Sequence, residues 1–310
     1  MILLQSINNF PEKLRGGAVA IGNFDGVHLG HARLIARLKE MARRIGGPSV
    51  VFTFDPPPTR VLHPEVAPEP LLWLERKAEI LEDMGVDAVL AYPTDRALMQ
   101  MDAREFFDCI VRDRLAARGL VEGPNFYFGH DRSGDVDVLH RFCAEAGLAF
   151  EVTQPVEIGG QIVSSSRIRE AIMVGRVEEA AAMLGRPYRI CGEVVHGAGR
   201  GATIGYPTAN VDQIPTLMPA QGIYAARALA DYIWYPAAVS LGPNPTFAEG
   251  GLKTEVYIIG FSGDLYGQLI EVDFLAKLRE IRRFESVPTL IEQMGRDVAR
   301  AIDIAQCTGC

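Results

Sequence analysis

His28 and His31 lie three residues apart in IGNFDGVHLGH (21–31), interleaved with Gly22, Gly26 and Gly30. At that spacing two side chains face one side of a first helical turn. Glycines beside them let the backbone come close to a ligand. Backbone N–H groups at the start of a helix have no intrahelical partner, and the helix dipole favours negative charge there. The chemistry on offer is therefore capture of a phosphate, with two imidazoles as added donors. The same residues also read as a tight turn with a histidine capping a helix. The pattern is neither a Walker sequence nor G-x-G-x-x-G.

Other residues offer related chemistry. Arg167 follows Ser164, Ser165 and Ser166 at a helix start. A guanidinium there can grip phosphate oxygens in pairs, although a surface helix with a serine N-cap looks the same. HGAGRG (196–201) brings Gly197, Gly199 and Gly201 within five positions, with Arg200 between the last two. Thr208 and Asn210 stand two apart in PTAN, so both point the same way in an extended segment. Glu255 in TEVYI occupies the polar position of an alternating strand.

Two kinds of element must hold these groups. In the first half, apolar runs such as GAVAIGNF (17–24), SVVFTF (49–54) and VDAVLAY (86–92) alternate with helical patterns. Leu34, Ile35, Leu38, Met41 and Ile45 trace one helical face. That β-α order implies a parallel sheet with helices on both faces, a Rossmann-like α/β domain. After MLGRPY (183–188) the segments RICGEVVHG, GIYAARALA, YPAAVSLG, TEVYIIGF and LIEVDFL are β-like and parted by Gly, Pro and Asn turns, which suits a small antiparallel barrel. A closing helix starts near Ser286 with Pro288 in its first turn. The boundary falls near 186, giving domains over 1–185 and 186–310.

Composition narrows the classes. At 310 residues the chain suits two domains. A net charge of −8 argues against bulk nucleic-acid binding but not against small polyanions, which a local field captures. No apolar run approaches the roughly 20 residues that span a bilayer, and MILLQSINNF lacks the basic and apolar regions of a secretory signal. Cys307 and Cys310 form one CxxC, and a lone pair of this kind is weak evidence for zinc. A reduced, cytoplasmic enzyme is expected, monomeric or transiently homo-oligomeric, with no nucleic-acid or membrane partner.

GNFDGVHLGH resembles the HxGH signature of nucleotidylyltransferases, in the form carried by bacterial bifunctional riboflavin kinase/FAD synthetases. TFDPPP (53–58), EGPNFYFG (122–129) and SSSRIRE (164–170) stand where that family has matching segments. GRGATIGYPTAN (199–210), GPNPTF (242–247), TEVYI (254–258) and FSGDLYG (261–267) resemble its flavokinase module. The resemblance implies an HxGH-type FMN adenylyltransferase domain followed by a riboflavin kinase barrel. Its substrates and products would be ATP, riboflavin, FMN and FAD, with Mg2+ as the cofactor.

By the same resemblance His28, His31, Arg167 and Asn125 serve adenylyl transfer, with Gly22, Phe24, Gly26, Gly30, Ser164 and Ser165 around the nucleotide. Glu255 matches the catalytic glutamate of phosphorylation, Thr208 and Asn210 the magnesium-holding pair, and Gly197, Gly199, Arg200 and Gly201 the loop that covers the nucleotide. Phe126 and Phe128 are weighted toward packing. Three positions depart from the family: Pro57 replaces a histidine, Trp73 a small hydroxyl residue, and Pro124 an acidic or polar one. Each lies beside a retained motif, which implies altered substrate affinity or rate. They also favour a second reading, a riboflavin kinase whose first half is a weak or regulatory nucleotide-binding module, against which the intact HxGH and Arg167 speak. A sensor without catalysis would be expected to lack Glu255 or the PTAN pair.

Overall fold

The computed structural model describes residues 1–8, 10–244 and 249–308. The chain forms two compact units. One comprises Met1–Pro68 with Trp73–Val163, the other Glu69–Leu72 with Ser164–Cys310. Pro245, Thr246 and Phe247 of GPNPTF, and Cys310 of the CxxC, lie outside the described residues.

The first unit runs β1 (Ile2–Leu4), β2 (Ala18–Ile21), α1 (Leu29–Ile45), β3 (Ser49–Phe54), α2 (Pro58–Leu62), α3 (Leu74–Asp83), β4 (Ala88–Tyr92), α4 (Arg96–Gln100) and α5 (Ala103–Phe106). Helix α5 continues as a wider π-helical stretch over Phe107–Arg114. Then follow β5 (Gly119–Glu122), α6 (Val136–Ala146), β6 (Ala149–Val152) and the small hairpin β7 (Glu157–Ile158) and β8 (Gln161–Ile162). Six strands form a sheet in the order β1-β4-β3-β2-β5-β6, and every neighbouring pair is parallel. Continuous apolar runs make its centre: all of Ala18–Ile21 is buried, as is SVVFTF up to Thr53. Helix α1 lays Leu34, Ile35, Leu38 and Met41 against β2, β3 and β5 and stops at Gly46, whose φ of 65° only glycine adopts readily.

The chain leaves β2 toward β3 and β4, then returns to the other side of β2 as β5. Ligands bind open parallel sheets at such a switch, beyond the carboxyl ends of the strands. Here β2 and β5 pair only at Ala18–Gly119 and Val19–Leu120. Beyond that the Ile21 N–H donates to the Glu122 side chain at 2.8 Å. Burial pushes this carboxyl well above the usual carboxylate range, and the bond from Ile21 offsets only part of the shift.

The second unit opens with α7 (Ser165–Met173) and α8 (Val177–Leu184). Next come β9 (Tyr188–Val195), α9 (Arg200–Thr203), β10 (Ala209–Asp212), β11 (Gly222–Ala230), β12 (Ile233–Asn244), β13 (Glu249–Ile258), β14 (Leu269–Arg279) and α10 (Val287–Thr308). The strands close a barrel in the order β10-β13-β12-β11-β14-β9, antiparallel throughout, which leaves no open edge. Strand β9 shows the alternation that makes it: Tyr188, Ile190, Gly192 and Val194 are buried and their neighbours partly exposed. Helix α8 packs on β9 and β14, and α10 on β11, β12 and β14. Ser286 and Thr289 exchange backbone-to-hydroxyl bonds at the start of α10. Two features escaped the strand pattern. The last two residues of PTAN begin a sixth barrel strand, β10, and the short β1 and β6 form the sheet's two edges.

A raised folded-state pKa makes the stability due to Glu122 complete below its unfolded pKa and lost as pH rises through the folded value. Glu122→Gln should therefore match wild type below about pH 4. Near pH 7 it should melt higher, by about 2–4 °C for each kcal/mol regained. Thermal denaturation of the first unit across pH checks this, and a gap that does not change with pH would contradict it.

Candidate active sites

The turn after β2 builds its own donors. His28 is the N-cap of α1, and its Nδ1 accepts from the N–H groups of Gly30 (3.2 Å) and His31 (3.4 Å). His31 Nδ1 accepts in return from the His28 N–H at 3.3 Å. The two rings stack with centroids 3.7 Å apart. A ring nitrogen that accepts carries no hydrogen, so this pattern assigns the hydrogen of each neutral imidazole to Nε2. The capping reading and the phosphate-donor reading thus describe one geometry, in which the cap sets the tautomer that can donate.

Gly30 keeps this pair intact, since a Cβ there would stand 3.0 Å from His28 Cε1. Phe24, with φ at 46°, buries its ring 5.1 Å from that of His31. The loop backbone is held from below. Lys77 on α3 donates to the Asn23 carbonyl at 2.8 Å, and the Thr53 hydroxyl donates to the same oxygen at 3.1 Å.

A cavity of about 870 Å³ opens beside the loop, lined by Gly22, Asn23, Phe54, Pro58, His63, Asn125, Phe126 and Phe128 among others. That size is ordinary for a small-molecule site. It brings Gly22 and Asn125 together, whereas His28 and His31 are not among its lining residues. Phe126 and Phe128 stack at 5.5 Å and pack against the core, in addition to facing the cavity. Pro57 is the N-cap of α2, next to lining residue Pro58. Trp73 is the N-cap of α3 and makes no side-chain cap bond. A serine or threonine hydroxyl at that position would add about 1 kcal/mol to the helix.

Ser164, Ser165 and Arg167 sit on α7, in the second unit. Ser164 is the N-cap, its Oγ accepting from the Arg167 N–H at 3.3 Å. The Arg167 guanidinium lies 3.8 Å from Glu179 on α8.

The barrel unit holds the second site. Gly199, Arg200, Gly201, Thr208, Asn210 and Glu255 line one cavity together with apolar residues that include Ile223, Phe284, Leu290 and Met294. Strand register explains the polar side: Asn210 on β10 lies directly across from Glu255 on β13. Thr208 immediately precedes β10. Close approach explains two of the glycines. A Cβ on Gly197 would lie 2.1 Å from Asn210 Nδ2, and one on Gly201 would lie 2.2 Å from the Tyr206 carbonyl. Hydroxyl, carboxamide and carboxylate oxygens on one wall form a donor set suited to a hard divalent cation. Among the described residues no cluster of three or more His, Cys, Asp or Glu could hold a metal. Arg279 and Asp297, paired at 2.8 Å, tie the end of β14 to α10 across the same cavity. Sequence reasoning passed over this pair, as it did Lys77 and Glu122.

Comparison with known proteins covers both sites. The FAD synthetase family model matches residues 10–167 and the riboflavin kinase model matches 184–305. The chain belongs to the bifunctional riboflavin kinase/FMN adenylyltransferase family. The Pseudomonas fluorescens member is 39% identical, covering 98% of this chain and 98% of its own. The Escherichia coli member is 36% identical, with 96% of each chain covered. A Streptococcus pneumoniae crystal structure, described as a macrolide-efflux protein, is 32% identical with a TM-score of 0.86 and covers 97% and 98%. Among the described residues no helix is long and apolar enough to cross a membrane. As a member of this family the chain is an enzyme of flavin cofactor synthesis and carries both of the family's domains.

Gly197→Ala should displace the Asn210 carboxamide. The expected result is a fall of about ten-fold or more in FMN formation from riboflavin, with FAD formation from supplied FMN unchanged. Separate assays of the two products decide it, and an unimpaired kinase rate would remove the contact from the site.

Proposed function

We propose that the chain converts riboflavin to FMN in its barrel and FMN to FAD in its α/β domain, with the activities divided between 1–185 and 186–310. The observation that carries the reading is the presence of two preformed polar sites in one chain, each built by its own architecture.

In the barrel the 5′-hydroxyl of riboflavin attacks the γ-phosphorus of ATP. Glu255 accepts the hydroxyl proton as the new P–O bond forms, and ADP departs with the electrons of the bond that breaks. Magnesium, held by Thr208 and Asn210, would neutralise phosphate charge there. The apolar wall of Ile223, Phe284, Leu290 and Met294 suits a flavin ring, and the loop Gly197–Gly201 with Arg200 suits the nucleotide.

In the α/β domain an FMN phosphate oxygen attacks the α-phosphorus of ATP and pyrophosphate leaves. The nucleophile is already anionic, so positioning and charge stabilisation dominate over base catalysis. His28 and His31 donate through Nε2 to phosphate oxygens, and Gly22, Phe24, Gly26 and Gly30 shape the nucleotide turn. Asn125 holds phosphate at the cavity mouth. The 870 Å³ cavity takes the flavin ring of FMN.

The protein works on small molecules in the cytoplasm, as a monomer or transient homo-oligomer, with no nucleic-acid or membrane partner. The tautomer-setting cap at His28 and His31 favours an active first domain over a regulatory one.

Paired variants test the division. Glu255→Gln should slow FMN formation by about 10²–10⁴-fold, the usual worth of a general base, and spare FAD formation from supplied FMN. His28→Ala should do the reverse. Equal loss of both activities in either variant would undo the two-site assignment.

A further inference from the structure

Lys77 is a lysine on the wrong face of its helix. Helix α3 buries Lys77, Ala78, Ile80 and Leu81, and Lys77 is only 6% exposed. An ammonium placed there loses its water and persists only with partners. Its partners are specific. Nζ donates to the Asn23 carbonyl at 2.8 Å and stands 3.3 Å from Thr53 Oγ1, while the Thr53 hydroxyl donates to the same carbonyl at 3.1 Å. Burial lowers the Lys77 pKa, and the carboxylates of Asp25 and Asp55 oppose that shift. A Leu or Met would fill the space without the desolvation cost, so packing alone does not account for the residue.

The carbonyl it holds begins the turn that matters. Asn23 lines the first unit's cavity, and the next residues take unfavourable backbone angles: φ is 46° at Phe24 and 35° at Val27. Non-glycine residues stay in that region only where their surroundings over-determine them. Two donors converging on one carbonyl, immediately before Phe24, supply such a constraint. Val27 leads directly to His28, whose N–H anchors the ring of His31. Displacement of this backbone by 1 Å can cost a site two orders of magnitude in rate.

We infer that Lys77 is a positioning residue for adenylyl transfer: with Thr53 it fixes the Asn23 carbonyl, and through it the turn that presents Gly22, His28 and His31 to the phosphates. This rests on the assignment of adenylyl transfer to the first domain. Lys77 itself need not touch substrate.

The test uses the full-length protein and reads both activities, so that the kinase reports on folding. Wild type must make FAD from FMN and ATP; if it does not, the assignment fails and not the inference. Given that rate, Lys77→Met should lower kcat for FAD formation about ten-fold or more, with the KM for FMN little changed and the kinase kcat unaffected. Thr53→Val, which removes the second donor, should give the same kcat-against-KM split in smaller measure. Lys77→Arg should restore part of the rate. If Lys77→Met does not fold, Thr53→Val decides alone. A full FAD rate in the Met variant, or in Thr53→Val where only that variant folds, would overturn the inference. So would a fall confined to thermal stability, or parallel loss of both activities.

Discussion

Strands β2 and β5 pair for two residues and then part, and the first site depends on that separation. A parallel sheet has no hairpin to close the gap at a switch point, so the crevice is permanent. The Glu122 side chain takes over the Ile21 N–H that a strand partner would have satisfied. One lip of the gap is the Gly22–His28 turn, and the other leads through Gly123 and Pro124 to Asn125. The α1 N-terminus opens on the same turn, where the two histidines cap each other. The proposed anion capture thus follows from topology first and from side chains second.

The barrel solves a different problem. Phosphorylating a neutral hydroxyl benefits from a base near the phosphates, and antiparallel register sets a carboxylate directly across from a carboxamide. Asn210 and Glu255 face each other across one strand pair, and glycine at 197 leaves room for the carboxamide. Closure of the sheet satisfies the backbone around these polar groups. Helix α10, tied to β14 by Arg279 and Asp297, completes the apolar wall. Each unit therefore creates its site at a feature its own strand arrangement makes unavoidable.

Much of this was legible in the residue pattern. The runs GAVAI, SVVFTF and VDAVLAY stand as β2, β3 and β4, the helical spacing after His28 is α1, and the Gly, Pro and Asn punctuation after Leu184 marks the barrel. Strand β10 was harder, because its four residues are too few to show alternation and its place in the sheet comes from pairing with β9 and β13. Strands β1 and β6 are similarly short. Lys77 and Glu122 were readable in principle: Lys77 continues the stripe of Leu74, Ala78 and Leu81, and Glu122 ends an otherwise apolar strand. Both were passed over because charged residues are normally assigned to solvent, and only the fold shows what they hold.

The central claim is two working sites in one chain. The most direct measurement gives purified protein ATP and magnesium, with riboflavin in one reaction and FMN in another, and separates the flavins formed. FAD is expected from both reactions. FMN accumulating from riboflavin with no FAD in either reaction would contradict it and leave only the barrel as a catalyst.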